Sequence, residues 1–176
     1  ISMKRFITIA LIFGLAGCSL LMPKEVAADN IDITGTVQSR CIVNTDTAGV
    51  YGNPNAYTLT TLPASNGQVP IVRIDVSLAN AYNAEISYPT SFSSSPSLSD
   101  TVAWTGAVAT GQVGVSGMSA YQAASTTTGA KRIYALTLAG TTWFTVASTA
   151  TYGGGQNKAF PGGSYKAVVL AECIAQ

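Results

Sequence analysis

One stretch near the N-terminus constrains the fold most strongly: residues 29–43, which read DNIDITGTVQSRCIV. Ile31, Ile33 and Val37 alternate with polar residues, and Gly35 occupies the remaining position of the apolar row. A period of two is typical of a β-strand that buries one face. A glycine within such a row marks a bulge or the close approach of another chain segment. We therefore predict a strand that pairs with a sheet edge, either in its own domain or in another subunit.

A basic start followed by the apolar run FITIALIFGLAG predicts a secretory signal peptide, which we place in residues 1–28 together with two leading extra residues. Two cleavage sites remain open. Cleavage after Ala28 leaves Asp29 as the first residue, whereas the lipobox-like residues before Cys18 would make that cysteine the lipidated first residue. Either site predicts an exported protein. No later segment offers the run of about 18 apolar residues that a membrane-spanning helix requires.

The charge pattern argues against several classes of function. The chain has nine basic and eight acidic side chains and no histidine. Such a near-neutral chain, which has no basic cluster, is not expected to bind nucleic acid or an anionic membrane surface. The lack of histidine rules out a Ser-His-Asp triad or a Cys-His pair, and the acidic residues are too scattered to predict a catalytic carboxylate pair. We therefore expect no enzymatic activity, no metal and no cofactor.

The rest of the chain is rich in small and β-branched residues and lacks helical periodicity. Short alternating runs between Gly, Pro, Asn and Ser clusters are typical of a β-sandwich or barrel. Residues 69–79 form the clearest central strand, residues 131–139 and 142–148 predict a hairpin, and residues 89–99 predict a loop that contributes nothing to the core. We therefore predict one all-β domain in residues 41–176, an immunoglobulin-like β-sandwich.

If the signal peptide is removed after Ala28, two cysteines remain, Cys41 and Cys173, and they lie near the two ends of the domain. Export into an oxidising compartment favours a disulfide between them. The alternative is two separate buried thiols. An ordinary closed zinc site is excluded, because two cysteines without histidine supply too few ligands.

Four aromatic residues allow two interpretations. Trp104, Trp143, Tyr121 and Tyr152 can line a sugar-binding face, or they can fill the core between two sheets. Since Trp143 is followed directly by Phe144, a strand at this position places one of these rings on each face. One of the two rings is therefore predicted to lie on the surface or at an interface.

The two ends of the domain resemble chaperone–usher pilins, the subunits of bacterial fimbriae. The first strand has the pattern I-x-I-x-G-x-V-x-x-x-C, which is similar to the pilin N-terminal extension. The last strand, FPGGSYKAVVLAECIAQ, resembles the pilin C-terminal motif, in which a Gly-x-Tyr element precedes an alternating strand. Here Gly163 and Tyr165 form that element, and Ala167, Val169 and Ala171 begin the alternation. The chain differs from the family pattern in carrying its second cysteine on the last strand.

The resemblance implies an immunoglobulin-like sandwich that lacks one strand, which a neighbouring subunit supplies. Residues 29–40 would form the N-terminal donor-strand extension. In it Ile31, Ile33 and Val37 would enter pockets of the neighbour, and Gly35 would allow close approach. The acceptor-groove and chaperone-docking strand would carry Tyr165, Ala167, Val169 and Ala171. The implied partners are identical or related pilin subunits, a periplasmic chaperone and an outer-membrane usher.

Two functions follow as expectations. The first is a structural subunit of an extracellular pilus, polymerising by donor-strand exchange and acting in adhesion or biofilm formation. The second is a lipid-anchored outer-membrane β-sandwich that binds a glycan or a protein and is acylated at Cys18. They differ at the N-terminus, since a chain that starts at Asp29 has a free strand and a chain that starts at acylated Cys18 is tied to a membrane.

Overall fold

The structure, a computed structural model, describes residues 34–36, 38–113, 125–155 and 157–176. These residues contain ten β-strands and a single 3₁₀ turn, Pro63–Ser65. The strands are β1 Cys41–Thr47, β2 Gly52–Asn55, β3 Thr58–Thr60, β4 Ile71–Val76, β5 Tyr82–Ser87, β6 Val102–Val113, β7 Ser125–Thr128, β8 Lys131–Ala135, β9 Gly140–Tyr152 and β10 Leu170–Ala175. The all-β prediction is therefore confirmed.

The strands form two antiparallel sheets. The first sheet is built around the long strand β9, which pairs along one edge with β6. Along its other edge, the first half of β9 pairs with β4 and the last residues pair with β3, and β1 and β2 flank these partners. The second sheet has the order β10-β5-β8-β7. Two facing antiparallel sheets are consistent with a β-sandwich.

The core lies between the sheets because apolar residues alternate along each central strand. In β9 every second side chain is buried, including Phe144 and Val146, both fully shielded from solvent. Ile74 of β4 joins them from the same sheet, and Ile86 and Tyr134 face them from the other. The rings of Tyr134 and Phe144 lie 4.9 Å apart. These contacts bury most of the apolar area that stabilises the domain.

The predicted hairpin between residues 131–139 and 142–148 is wrong. Strand β8 belongs to the second sheet, where it pairs with β5 and β7, whereas β9 belongs to the first. The short connection therefore crosses from one sheet to the other. The pattern of alternation predicted both strands, but alternation alone does not specify which strand a neighbour in sequence pairs with.

The start of β2 depends on a glycine. A Cβ atom added to Gly52 would lie 1.8 Å from the carbonyl oxygen of Ser65, so the backbone of the 3₁₀ turn would have to move. We expect Gly52→Ala to lower the free energy of unfolding by about 3 kcal/mol. Gly162→Ala is the matched control, because no described atom lies within 4 Å of a Cβ at Gly162, and we expect it to change stability by less than about 0.5 kcal/mol. Equal urea midpoints for the two variants would contradict the close packing described at Gly52.

Candidate interaction groove

The two sheets do not meet along one side of the domain. Strand β1 is the edge of the first sheet, and β10 is the edge of the second. A disulfide between Cys41 of β1 and Cys173 of β10 joins these edges, with the two Cα atoms 6.3 Å apart. The predicted disulfide is therefore confirmed, and it connects two strands that belong to different sheets.

Beyond the disulfide, an elongated cavity separates the two edges. We call it the open groove: one wall is β1 with the loop that follows it, and the other is the extended segment 165–171. It consists of two cavities. The disulfide-side cavity, of about 530 Å³, reaches from Val43 and Ala171 to Tyr51. The aromatic-side cavity, of about 570 Å³, continues from Tyr51 to Phe160.

The residues that face into the open groove are less buried than core residues should be. Val43, Val169 and Ala171 pack against the core but remain half-buried. On the other side of the same segment, Val168 and Leu170 are 57% and 51% exposed. The segment 168–171 is therefore apolar on both faces, and its inward face lacks a cover within the described part of the chain.

The backbone along both walls is only partly paired within the described residues. Among the described strands, β1 pairs only with β4, and β10 pairs only with β5. In an antiparallel edge strand, every second residue directs its N–H and C=O groups away from its neighbour. Ala167, Val168 and Val169 form no backbone hydrogen bond within the described residues. Such an edge is a template on which a further strand can pair.

An aromatic cluster closes the far end of the open groove. The ring of Phe92 lies 4.8 Å from that of Trp104 and 5.1 Å from that of Tyr165, and it also contacts Tyr51 and Phe160. The prediction that residues 89–99 contribute nothing to packing is therefore wrong. A single aromatic residue among serines gives no periodic signal, so only the fold reveals its role.

The open groove carries little charge. Among the described residues, Lys166 alone brings a charged side chain to the lining of either cavity. At the junction of the cavities, the Tyr51 hydroxyl shares a hydrogen bond of 3.2 Å with the Ser148 hydroxyl. Burial raises the pKa of Tyr51, although the hydrogen bond to Ser148 acts in the opposite direction. The site therefore suits an occupant that is mostly apolar.

Next to the aromatic cluster, Tyr152 is held by the segment that precedes β6. Its hydroxyl accepts hydrogen bonds from the backbone N–H groups of Ser99 (3.1 Å) and Asp100 (3.2 Å), and it shares one of 3.0 Å with the Ser99 hydroxyl. The Ser99 side chain is the main cause that lowers the pKa of Tyr152, since these hydrogen bonds favour the phenolate.

This tyrosine should be visible in a titration. We expect Tyr152 to ionise before Tyr51 and Tyr134, whose pKa values burial raises. Its folded pKa lies below the unfolded value near 10, so its contribution to stability is present above that value and is lost as the pH falls through the folded pKa. Absorbance of phenolate against pH measures this, and Tyr152→Phe should remove the first step. An unchanged first step would contradict the assignment.

The structure places the predicted acceptor residues together. Tyr165, Ala167, Val169 and Ala171 all line the open groove. The strand itself begins only at Leu170, whereas the sequence predicted a continuous strand from residue 164. Lys166 instead forms an isolated β-bridge with Ser94. The residues between Lys166 and Leu170 therefore run along the groove without joining the sheet.

The donor-strand residues are mostly outside the described residues. Ile31, Ile33 and Val37 lie outside them, as does the possible lipidation site Cys18. Gly35 is described, is exposed, and precedes the compact unit that begins at Thr36.

The four aromatic residues do not form one sugar-binding face. Trp104 and Tyr152 belong to the aromatic cluster and its surroundings, and Tyr121 lies outside the described residues. Trp143 lies on the outer face of β9, where its indole N–H donates to Asp46 (3.3 Å), whereas Phe144 is fully buried. The prediction that one of these two adjacent rings faces outward is confirmed.

The fold also brings together two acidic residues that the sequence keeps far apart. Glu172 of β10 lies directly opposite Glu85 of β5. Lys131 forms an ion pair with Glu85, and Glu85 is the main cause that raises the pKa of Lys131. Lys131 thus offsets the negative charge of the two glutamates on this face of the second sheet. These three residues are separate from the open groove.

Comparisons with known protein families, curated proteins and solved structures found no match to this chain. The described residues contain no helix of the length and hydropathy needed to span a bilayer. They also contain no group of three or more Cys, His, Asp or Glu residues placed to hold a metal ion.

Proposed function

We propose that this chain is a structural subunit of an extracellular pilus, and that it polymerises when the N-terminal segment of one copy fills the open groove of the next. The observation that carries the proposal is the groove itself, an apolar opening between two unpaired strand edges. Leaving such edges without a partner is unfavourable, and strand addition is a known mode of recognition that satisfies them. The proposal assigns a scaffold role and no catalytic one.

The segment 31–37 matches the wall of the groove in the spacing of its side chains. Inward side chains of the 165–171 wall recur at every second residue, and Ile31, Ile33, Gly35 and Val37 recur with the same period in the sequence. A strand that runs antiparallel to this wall places its inward residues beside those of the wall. The resulting pairs are Ile31 with Ala171, Ile33 with Val169, Gly35 with Ala167, and Val37 with Tyr165.

This register places the glycine at the junction of the two cavities. Tyr51 and Ala167 line both cavities and mark the place where they meet. Gly35 would lie against them, since it has no side chain to collide with the Tyr51 ring. Ile31 and Ile33 would then occupy the disulfide-side cavity and Val37 the aromatic-side cavity. An inserted strand that ran in the opposite direction, parallel to the 165–171 wall, would place both isoleucines at the aromatic end of the groove, where the wall is shorter.

The same groove needs a cover before polymerisation. An exposed apolar edge promotes aggregation, so the proposal includes a periplasmic chaperone that lends a strand and an outer-membrane usher at which the exchange takes place. The finished polymer is located at the cell surface, where it would act in adhesion or biofilm formation.

A peptide that copies residues 29–38 tests the proposal. We expect the peptide, added in excess to the oxidised chain that begins at Asp29, to occupy open grooves at polymer ends and to shorten the polymers seen by electron microscopy. The matched control is the same peptide with Gly35→Leu, which should leave polymer length unchanged. Groove occupancy is checked with Val169→Arg, which adds a charge to the apolar wall and should abolish peptide binding.

Two results would contradict the proposal. One is a chain that remains monomeric at high concentration in the absence of chaperone and peptide. The other is peptide binding that Val169→Arg leaves unchanged. The intact mass of the exported protein decides between a chain that begins at Asp29 and the lipid-anchored alternative acylated at Cys18.

A further inference from the structure

The disulfide closes one end of the open groove. A strand between two others lies about 4.8 Å from each, so the flanking strands must be about 9.6 Å apart. At the bridge, the Cα atoms of Cys41 and Cys173 are only 6.3 Å apart. No third strand can lie between β1 and β10 at this position.

The chain enters β1 at this closed end. The backbone N–H of Ser77 donates to the carbonyl oxygen of Arg40 (3.0 Å), which extends the ladder between β1 and β4 by one residue. The Arg40 N–H donates to the Ser77 hydroxyl (2.7 Å), and this hydroxyl also lies 3.3 Å from the carbonyl oxygen of Gln38. The Tyr82 hydroxyl donates to that of Ser39 (3.1 Å). These bonds hold the chain in line with the first sheet as it passes the disulfide.

We propose that the Cys41–Cys173 disulfide prevents a copy from filling its own groove and so directs its N-terminal segment to a second copy. This inference rests on the proposed function. The described chain enters β1 from this closed end, in line with the first sheet, so a copy's own N-terminal segment would have to reverse direction there to reach its own groove. A second copy has no such constraint, because its segment approaches along the open side of the groove.

The direction of pairing supports the same conclusion. Strands β1 and β10 run in opposite directions, since Cys41 begins β1 and Cys173 lies near the end of β10. A segment that folded back from its own β1 would run parallel to β10, whereas the register derived above is antiparallel to it. The copy's own segment would therefore place Gly35 and the two isoleucines in the wrong order along the groove.

A crosslinking experiment on the unaltered disulfide tests this. A photocrosslinking amino acid replaces Ile33 in the chain that begins at Asp29, and copies labelled with ¹⁵N are mixed with an equal amount of unlabelled copies before polymerisation. We expect crosslinks to the groove segment 165–171 in which about half join a labelled to an unlabelled copy, as random exchange between copies requires. Groove crosslinks confined to single copies, with the disulfide intact, would overturn the inference.

The Cys41→Ser, Cys173→Ser double variant tests the role of the bridge. With circular dichroism showing that it is folded, we expect crosslinks within single copies to rise from background to the majority and the polymers to become shorter. A folded variant that exchanges segments only between copies would overturn the inference. Where the double variant does not fold, the mixed-label result on the oxidised chain decides alone. Absence of every groove crosslink in both proteins would contradict the proposed function instead.

Discussion

Chains that carry Gly35→Leu are expected to fold as the unaltered chain does and to lose polymerisation almost completely. Gly35 is exposed and precedes the compact unit that starts at Thr36, so a larger side chain there does not disturb the domain. In the neighbour's groove, however, leucine would meet Tyr51 and Ala167 at the junction of the two cavities. An overpacked contact costs about 1–3 kcal/mol, which weakens each subunit contact by up to about a hundredfold. Electron microscopy and light scattering measure the loss.

A second substitution makes this prediction specific to the proposed register. In the double variant Gly35→Leu, Tyr51→Ala, the space vacated by the Tyr51 ring should accept the leucine and restore a large part of the polymerisation. The single variant Tyr51→Ala is the control and should still polymerise, because its donor segment is unaltered. If Tyr51→Ala fails to rescue Gly35→Leu but polymerises normally alone, Gly35 does not lie against Tyr51 and the register is wrong.

The largest effect on stability is expected from Phe144→Ala. The Phe144 ring is completely buried and contacts Tyr134 across the core, so its removal leaves a cavity and should cost about 4 kcal/mol. Its sequence neighbour provides the matched control, because Trp143 faces outward and is only partly buried. We expect Trp143→Ala to cost about 1 kcal/mol, mainly through lost area and the hydrogen bond to Asp46.

Denaturant unfolding of the oxidised chain, followed by circular dichroism, measures both variants. Similar losses for Phe144→Ala and Trp143→Ala would mean that the two faces of β9 are buried to a similar extent, for example because another molecule covers the outer face. A loss at Trp143 larger than that at Phe144 would reverse the orientation of β9 and contradict the core described above.

Alternation in the sequence predicted strands well and their partners poorly. The period of two in residues 69–79 and 142–148 identified the central strands β4 and β9, because a half-buried strand needs this pattern wherever it lies. It did not show that β8 and β9 belong to different sheets, since pairing depends on contacts between residues distant in sequence. Phe92 was missed for the same reason, because its four aromatic partners come from three separate parts of the chain.

The open groove, too, was predicted from the sequence only in part. Tyr165, Ala167, Val169 and Ala171 were recognised as one inward face, and the structure brings all four to the groove. Their partners on the opposite wall gave no signal. Tyr51, which lies where the two cavities meet, is one tyrosine in a turn-rich region, and neither spacing nor composition marks it.

By itself, the sequence determined the all-β class and the alternating faces of the central strands, and it favoured a disulfide between its two distant cysteines. Each of these follows from local pattern or from residue chemistry, which a chain carries whatever its final arrangement. Only the tertiary structure decided that β1 and β10 are the edges of two different sheets, that a groove separates them, and that the Cys41–Cys173 disulfide closes one end of it. Those features depend on distances between segments more than a hundred residues apart, since the two cysteines are separated by 132 in sequence number, and local pattern carries no information about such distances.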